Sequence, residues 1–302
     1  MKDSHRVAIV GAGPAGIACA IYLKRAGIDA LLLERDKIGG LLVNANLVEN
    51  YPGFPDGITG KRLVGLFRLQ LHKRGIKIAK SRVRRIEKDG EDFRLETDGL
   101  RFSSRYLVVA TGTRAKSIKL RGLGRLIGTR IFYEVADLPA RSSRSKFIVV
   151  GGGDAAFDYA LGLAGHGGEV DLVFRSKHPA CLPLLRKRVA AESGIHEFAG
   201  TTPISASKRR SKVELSCRRL GGKITLRGDY ALVACGREPR LEILSLGLRA
   251  GLGTDAEYEG RSRMFLIGDV RRGNERQVGI AVGDGILAAM RIVDSVRREG
   301  MA

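Results

Sequence analysis

Two glycine-rich turns in this chain have residue types and spacing suited to holding a dinucleotide. The first is GAGPAG, with Gly11, Gly13 and Gly16; the second is GGGDAA, with Gly151, Gly153 and Ala156. Gly11 permits a tight turn, Gly13 lets the backbone approach a pyrophosphate, and Gly16 allows close helix–strand packing. The helix opening at Pro14 and Ala15, and its counterpart at Asp154 and Ala155, would offer N-terminal N–H groups to the phosphates. Glu34 lies 23 positions after Gly11 and is followed by Arg35. A carboxylate there accepts hydrogen bonds from a ribose 2′-hydroxyl. The matching position of the second turn, after VDLVF, holds Arg175, Ser176 and Lys177 instead. A carboxylate would repel a 2′-phosphate and these cations would attract it, which favours NADPH over NADH. The competing reading is a basic loop on a basic protein, with His178 a solvated histidine rather than a proton donor.

Two such turns imply two nucleotide cofactors that exchange electrons, provided each turn lies between a strand and a helix. The pattern supplies both. Val7–Val10 is an apolar strand, Pro14–Ala26 a helix ended by Gly27, and Ala30–Leu33 a strand ending at Glu34. This β-turn-α-β order is the dinucleotide-binding half-fold. Thr59–Arg74 has helical spacing, with Leu63, Leu66, Phe67 and Leu71 on one face. Strands follow at Ile76–Val83, Phe93–Thr97 and Arg101–Val109, the last entering the small-residue turn Ala110, Thr111, Gly112. After Arg114 the pattern restarts with strand Phe147–Val150, helix Ala155–Ala164, strand Val170–Phe174 and helix Leu185–Ser193. Hairpin-like strands Lys212–Cys217 and Lys223–Leu226 precede strand Tyr230–Ala234, which ends at Cys235 and Gly236. A final strand at Met264–Ile267, a turn at Gly268–Asp269 and a long helix at Val278–Arg297 complete the chain. The expected fold class is α/β: two Rossmann-like, three-layer ββα dinucleotide-binding domains. The second, residues 114–237, is inserted into the first, residues 1–113 and 238–302. A chain of 302 residues fits two compact domains better than one.

Hydrophobic content of 44% and charged content of 28% are those of a soluble globular protein. No apolar run approaches the roughly 20 residues of a membrane helix, and the N-terminus enters the first strand without room for a signal peptide. Cys19, Cys181, Cys217 and Cys235 share no CxxC spacing, so no disulfide framework or zinc site is visible. No metal site is expected, and a reducing, cytoplasmic setting fits. Packing is the expectation for Cys19 and Cys235, and exposure in a loop for Cys181. A formal charge of +21 predicts attraction to polyanions or acidic partners. The cations are spread over residues 80–85, 141–146, 185–188, 208–210 and 270–273 without a nucleic-acid-binding motif. Aromatics make up only 6%, which supports base stacking poorly, so nucleic acid is disfavoured as partner. A solvated basic surface competes with an acidic protein partner.

GAGPAG, Glu34, IGG (38–40), VENYPGF (48–54), ATGT (110–113), GGGDAA (151–156), MFLIGDV (264–270) and RQVGIAVGDG from Arg276 occur in order. As a set they resemble the low-molecular-weight thioredoxin reductase family of two-domain FAD/NAD(P)H flavoproteins, over the whole chain. The resemblance implies FAD in the split domain, NADPH in the inserted one, and a homodimer. On the FAD side it covers the first glycine turn, Gly40, Leu41, Ala110, Thr111, Gly112, Gly268 and Arg276. Asp269 matches the aspartate that hydrogen-bonds the flavin ribitol. Gln277 and Val278 match the helix start facing the flavin pyrimidine ring, where N–H groups and the dipole stabilise negative charge. Asn50 matches a residue beside the isoalloxazine, and the backbone of Val83 the adenine neighbour. Gly236 falls on the NADPH side. The family's two domains must reorient for nicotinamide to reach the flavin. The links near Thr113–Arg114 and Gly236–Arg237 carry small residues such a hinge would use, although ordinary turns explain them equally well.

The departures bear on the acceptor. Thioredoxin reductases carry a CxxC near the stretch that here reads GTRIFYEVADLP (128–139), with Phe132, Tyr133 and Glu134 and no sulfur. Dithiol exchange needs one thiolate to attack and a second thiol to resolve, so thioredoxin reduction by that route is excluded. The stretch is similar to the cysteine-free branch that includes thioredoxin-reductase-type ferredoxin–NADP⁺ reductases. Against that branch, Leu41–Leu42 replaces Gln-Leu and the C-terminal extension often found over the flavin is missing. The leading expectation is an NADPH-dependent flavoprotein reductase serving ferredoxin or flavodoxin, with no catalytic side chain because the flavin carries the chemistry. A flavin oxidase of small dithiols and a non-catalytic FAD-binding regulatory protein are the alternatives.

Overall fold

The computed structural model describes residues 3–140, 142, 144–252 and 263–301. Arg141 and Ser143 of the basic stretch 141–146 lie outside the described residues. In chain order the first elements are β1 (Asp3–Val10), α1 (Pro14–Arg25), β2 (Ala30–Glu34), α2 (Gly60–Lys73), β3 (Ile78–Lys80), β4 (Val83–Asp89), β5 (Asp92–Thr97), β6 (Arg101–Val109) and β7 (Thr113–Ala115). Next come β8 (Ile131–Phe132), β9 (Lys146–Val150), α3 (Asp154–Gly165), β10 (Glu169–Val173), α4 (Pro183–Ala191), β11 (Ile195–Phe198), β12 (Thr202–Arg209), β13 (Lys212–Arg219), β14 (Gly222–Gly228) and β15 (Tyr230–Val233). The last are β16 (Arg237–Pro239), α5 (Leu246–Ala250), β17 (Met264–Leu266) and α6 (Val278–Met301).

The chain divides into two compact units. One comprises Met1–Val43, Glu49–Arg114 and Glu238–Ala302, and the other Asn44–Val48 and Ala115–Arg237. In the first, β1 lies between β2 and β6 in a parallel arrangement, with β3 beyond β2. The long β6 serves two partners along one edge. Its residues 101–104 pair antiparallel with β5, and Leu107–Val109 pair parallel with β17. The apolar run Val7, Ala8, Ile9 is fully buried, as a central parallel strand covered on both faces must be. Val7 and Ile9 each contribute about 1.5–3 kcal/mol of burial energy.

The second unit repeats this plan. Its parallel sheet runs β11-β10-β9-β15-β8, and β12-β13-β14 forms a separate antiparallel sheet. Two Rossmann-like α/β domains are thus present, as the repeated motif predicts. Local details differ from the periodicity. The expected strand at 76–83 is split into β3 and the start of β4, because Ser81 donates its N–H to the Glu34 carbonyl at 2.9 Å and turns the chain. The expected hairpin after 212 has a third strand, β12, whose PISASKR sequence lacks clean alternation. Helix α4 begins at Pro183, two residues before the expected start at Leu185, since proline suits a first helical turn. Among the described residues no helix is long and apolar enough to cross a membrane.

Candidate functional site

In the first unit the three glycines of GAGPAG meet different demands. Gly11 has φ +110°, and a Cβ there would lie 2.3 Å from the Ala110 carbonyl oxygen. A Cβ on Gly16 would lie 1.9 Å from the Gly11 oxygen, so α1 could not sit on β1. Around Gly13 no heavy atom comes within 4 Å of the Cβ position. The opening is where a pyrophosphate would approach the α1 N-terminus.

Glu34 is held beside this turn. Its Oε2 accepts the Ala12 N–H at 2.8 Å and its Oε1 the Asp36 N–H at 2.9 Å, which leaves lone pairs for ribose hydroxyls. Arg35 is exposed. The Gly39 N–H donates to the Ala12 carbonyl at 2.7 Å, and a Cβ on Gly40 would stand 3.4 Å from the Gly13 Cα. Gly40, with Leu41 half-buried after it, therefore borders the glycine turn. Val83 is buried at the start of β4, close in sequence to the Ser81 that Glu34 holds. Ala110 bonds Val10, Thr111 donates its hydroxyl to the Arg240 carbonyl at 2.7 Å, and the Gly112 carbonyl accepts the Arg240 N–H at 3.0 Å.

The C-terminal motifs converge on the same place. A Cβ on Gly268 would lie 2.8 Å from the Ala15 Cβ, so the turn carrying half-buried Asp269 rests on the first turn of α1. Asn50 Nδ2 donates to Gln277 Oε1 at 2.9 Å, which joins two flavin-side candidates 227 positions apart. Arg276 and Val278 are half-buried beside Gln277, which is exposed. Sequence reading missed Asp284, buried in α6. It accepts the Gly268 N–H at 3.1 Å and a two-pronged pair from Arg272, with Nη2 at 2.6 Å and Nε at 3.2 Å. The signal was present: a carboxylate between two glycines in the otherwise uncharged first half of α6 demands a partner.

The second unit reproduces the turn. A Cβ on Gly151 would lie 2.4 Å from the Ala234 oxygen, the relation Gly11 has to Ala110, and Gly153 is as open as Gly13. Ala156 is fully buried where the first turn has Gly16. The cationic loop is anchored at several points. The Ala180 N–H donates to the Gly152 carbonyl at 2.7 Å, the Leu182 N–H to Asp154 Oδ1 at 2.8 Å, and the Gly200 N–H to the Ser176 carbonyl at 3.1 Å. Arg175, Ser176 and Lys177 are left exposed on it, as is His178. Asp154, expected at the nucleotide, thus uses one oxygen to hold this loop.

The cysteines depart in part from expectation. Cys19 is buried, and burial pushes its thiol up to about 12. Cys235 is exposed rather than packed, because β15 ends before it and the chain turns at Gly236, φ +103°. Cys181 is half-buried, not loop-exposed: the Ala180 anchor folds it against the apolar cluster containing Phe174 and Val189. In FYEVAD, Glu134 is bonded throughout. Arg237 Nη1 reaches its Oε1 at 2.7 Å, while Asn44 Nδ2 at 2.9 Å and the Tyr159 hydroxyl at 3.2 Å reach its Oε2. Burial, and then the Glu134 charge, push the Tyr159 hydroxyl well above its usual range.

The likeness to known proteins agrees with this geometry. Residues 5–285 match the family described as pyridine nucleotide-disulphide oxidoreductase. A thioredoxin reductase of Listeria innocua is 31% identical over 293 residues, covering 94% of this chain and 91% of that protein. The bifunctional thioredoxin reductase/thioredoxin of Mycobacterium leprae is 29% identical, over 95% of this chain and 64% of its own length. Among solved structures, the T. acidophilum thioredoxin reductase superposes with a TM-score of 0.85 at 25% identity, covering 98% of this chain and 99% of that one. The Lactococcus lactis thioredoxin reductase gives 0.84 at 26% identity, covering 97% and 99%. The chain therefore belongs to the pyridine nucleotide-disulphide oxidoreductase family and is a thioredoxin reductase-like FAD/NAD(P)H flavoprotein.

Proposed function

We propose that this flavoprotein oxidises NADPH and hands the electrons to an external carrier protein of the ferredoxin or flavodoxin kind, without a protein disulfide. The observation that carries the reading is the pair of matched glycine turns: the first has Glu34 at the ribose position and the second an anchored loop bearing Arg175 and Lys177. Both turns suit the groups assigned to them, since Gly13 and Gly153 leave open backbone where phosphates approach. Bound FAD would supply the redox chemistry, accepting a hydride from NADPH and releasing electrons singly.

The protein's own residues bind and orient. In the first unit Glu34 would hold a ribose and Asp269 the ribitol, Asn50 would stand beside the isoalloxazine, and Gln277 and Val278 at the α6 N-terminus would face the flavin pyrimidine ring. There the helix dipole favours negative charge. In the second unit Arg175, Ser176 and Lys177 take the 2′-phosphate. The overall reaction balances as NADPH and two oxidised carriers giving NADP⁺, H⁺ and two reduced carriers. A thioredoxin-type acceptor, as the relatives' names indicate for them, is disfavoured because residues 128–139 contain no cysteine to carry the exchange.

The decisive experiment is anaerobic stopped-flow of the FAD-loaded protein against NADPH and NADH, following flavin absorbance. Rapid bleaching by NADPH, with NADH much slower, is expected. Failure of both nucleotides to bleach the flavin overturns the proposal.

A further inference from the structure

We propose that the outer face of α2 is the docking surface for an acidic electron-carrier protein, an inference that rests on the function proposed above. Three observations within the first unit support it. The first is charge. The stretch 60–75, GKRLVGLFRLQLHKRG, has no carboxylate. Its Lys61, Arg62, Arg68, Lys73 and Arg74 are all exposed. Among the described residues none of them enters an ion pair, whereas elsewhere cations are commonly matched, as Arg94 is by Glu87 and Arg227 by Glu214.

The second is the apolar centre those cations enclose. Leu66 and Leu69 are 46% and 49% exposed on a helix whose Leu63 and Leu71 already face the core. With Gln70, Lys73 and Arg74 they line a groove of about 320 Å³. Apolar contact at the centre with a charged rim is the anatomy of a protein interface, and the sign of the rim specifies an acidic partner.

The third is position. Phe67, between the two exposed leucines, meets Tyr51 edge-to-face at 6.3 Å, and Tyr51 stacks on Phe54 at 6.3 Å. Tyr51 follows Asn50, whose amide bonds Gln277 at the start of α6. The helix that carries the patch is thus built into the same contact chain as the flavin-side residues. A carrier seated on α2 would dock next to the group that reduces it.

Binding and turnover can be read separately on the FAD-loaded full chain. The variants are the charge reversal Lys73→Glu/Arg74→Glu and the apolar removal Leu66→Ser/Leu69→Ser. The probes are an acidic ferredoxin and an acidic flavodoxin, titrated calorimetrically at low and moderate salt. Wild-type binding is expected to weaken steeply with salt, and each variant to lose about tenfold or more in affinity. Flavin reduction by NADPH, and electron delivery to the small neutral acceptor menadione, should be unchanged in both variants. Equal carrier binding by wild type and variants overturns the proposal, as does the absence of any carrier binding by wild type. A shift of the Leu66→Ser/Leu69→Ser protein from dimer to monomer with carrier affinity intact also overturns it, and assigns the face to a second copy of this chain. Loss of NADPH bleaching in the wild type sinks the parent reading alone, because binding is measured without turnover.

Discussion

Gly13 and Gly16 stand three residues apart, and replacing each with alanine should fail in a different way. A methyl on Gly16 would lie 1.9 Å from the Gly11 oxygen, so Gly16→Ala forces α1 off β1. Overpacking of that kind costs about 1–3 kcal/mol, and the midpoint of urea unfolding of the flavin-free protein should fall. Gly13 has φ −77°, which any residue adopts, and open space at its Cβ position. Gly13→Ala should therefore fold with wild-type stability yet retain little FAD, as flavin content after gel filtration will show. Cys19 offers a test in pH. Its thiol is raised by burial from 9.0 to about 12, so the folded state keeps a proton that the unfolded chain releases. Its contribution is fully present below pH 9 and is lost as pH rises toward 12. Within that window the slope is about 1.4 kcal/mol per pH unit. Cys19→Ala should flatten the alkaline fall in unfolding free energy by this amount, and an unchanged slope would contradict the burial argument.

At the scale of elements, the loop after β10 is held by hydrogen bonds at several points. Arg175 and Lys177 are exposed, but the loop under them is fixed by Gly152, Asp154 and Ser176. Asp154→Ala removes the acceptor of the Leu182 N–H. One such bond is worth about 1 kcal/mol, so KM for NADPH should rise several-fold with kcat and the slower NADH reaction unaltered. Arg175→Ala/Lys177→Ala should cost NADPH about tenfold or more and leave NADH unmoved; equal losses for both nucleotides would place these cations away from the 2′-phosphate. The glycine turns, Glu34 and the strands around them were legible because each rests on local sterics or on apolar runs. Asp154 as an anchor was not, since its partner Leu182 lies 28 positions on and only the folded loop brings them together. Nor was Asp284, whose pairing with Arg272 and Gly268 depends on how α6 crosses the Gly268 turn. Strand β12 was hidden because its side chains are only partly buried and its composition is polar. Cys235 was misjudged because an apolar run does not reveal which residue is its last.

The molecule uses one ββα plan twice, and after its second strand the second copy carries Arg175 and Lys177 where the first has Glu34. That difference sits within a larger excess of +21. The same excess acts in two directions. Between folded residues it is repulsive and opposes compaction. Toward an acidic carrier it is attractive and hastens encounter. Added salt screens both, with a Debye length of about 10 Å at 0.1 M. Raising sodium chloride from low to moderate concentration should therefore raise the thermal midpoint while lowering kcat/KM for the carrier. Exposed ion pairs such as Arg114–Glu238 and Lys24–Asp29 oppose the first effect, but exposed pairs are individually worth under about 1 kcal/mol. The repulsion among unmatched cations then dominates. Differential scanning fluorimetry and steady-state carrier reduction, run over one salt series on one preparation, test both signs together. A midpoint that falls with salt would mean that the matched pairs, and not the excess charge, govern stability. A flat carrier rate beside a rising midpoint would mean that the basic surface serves something other than electron delivery.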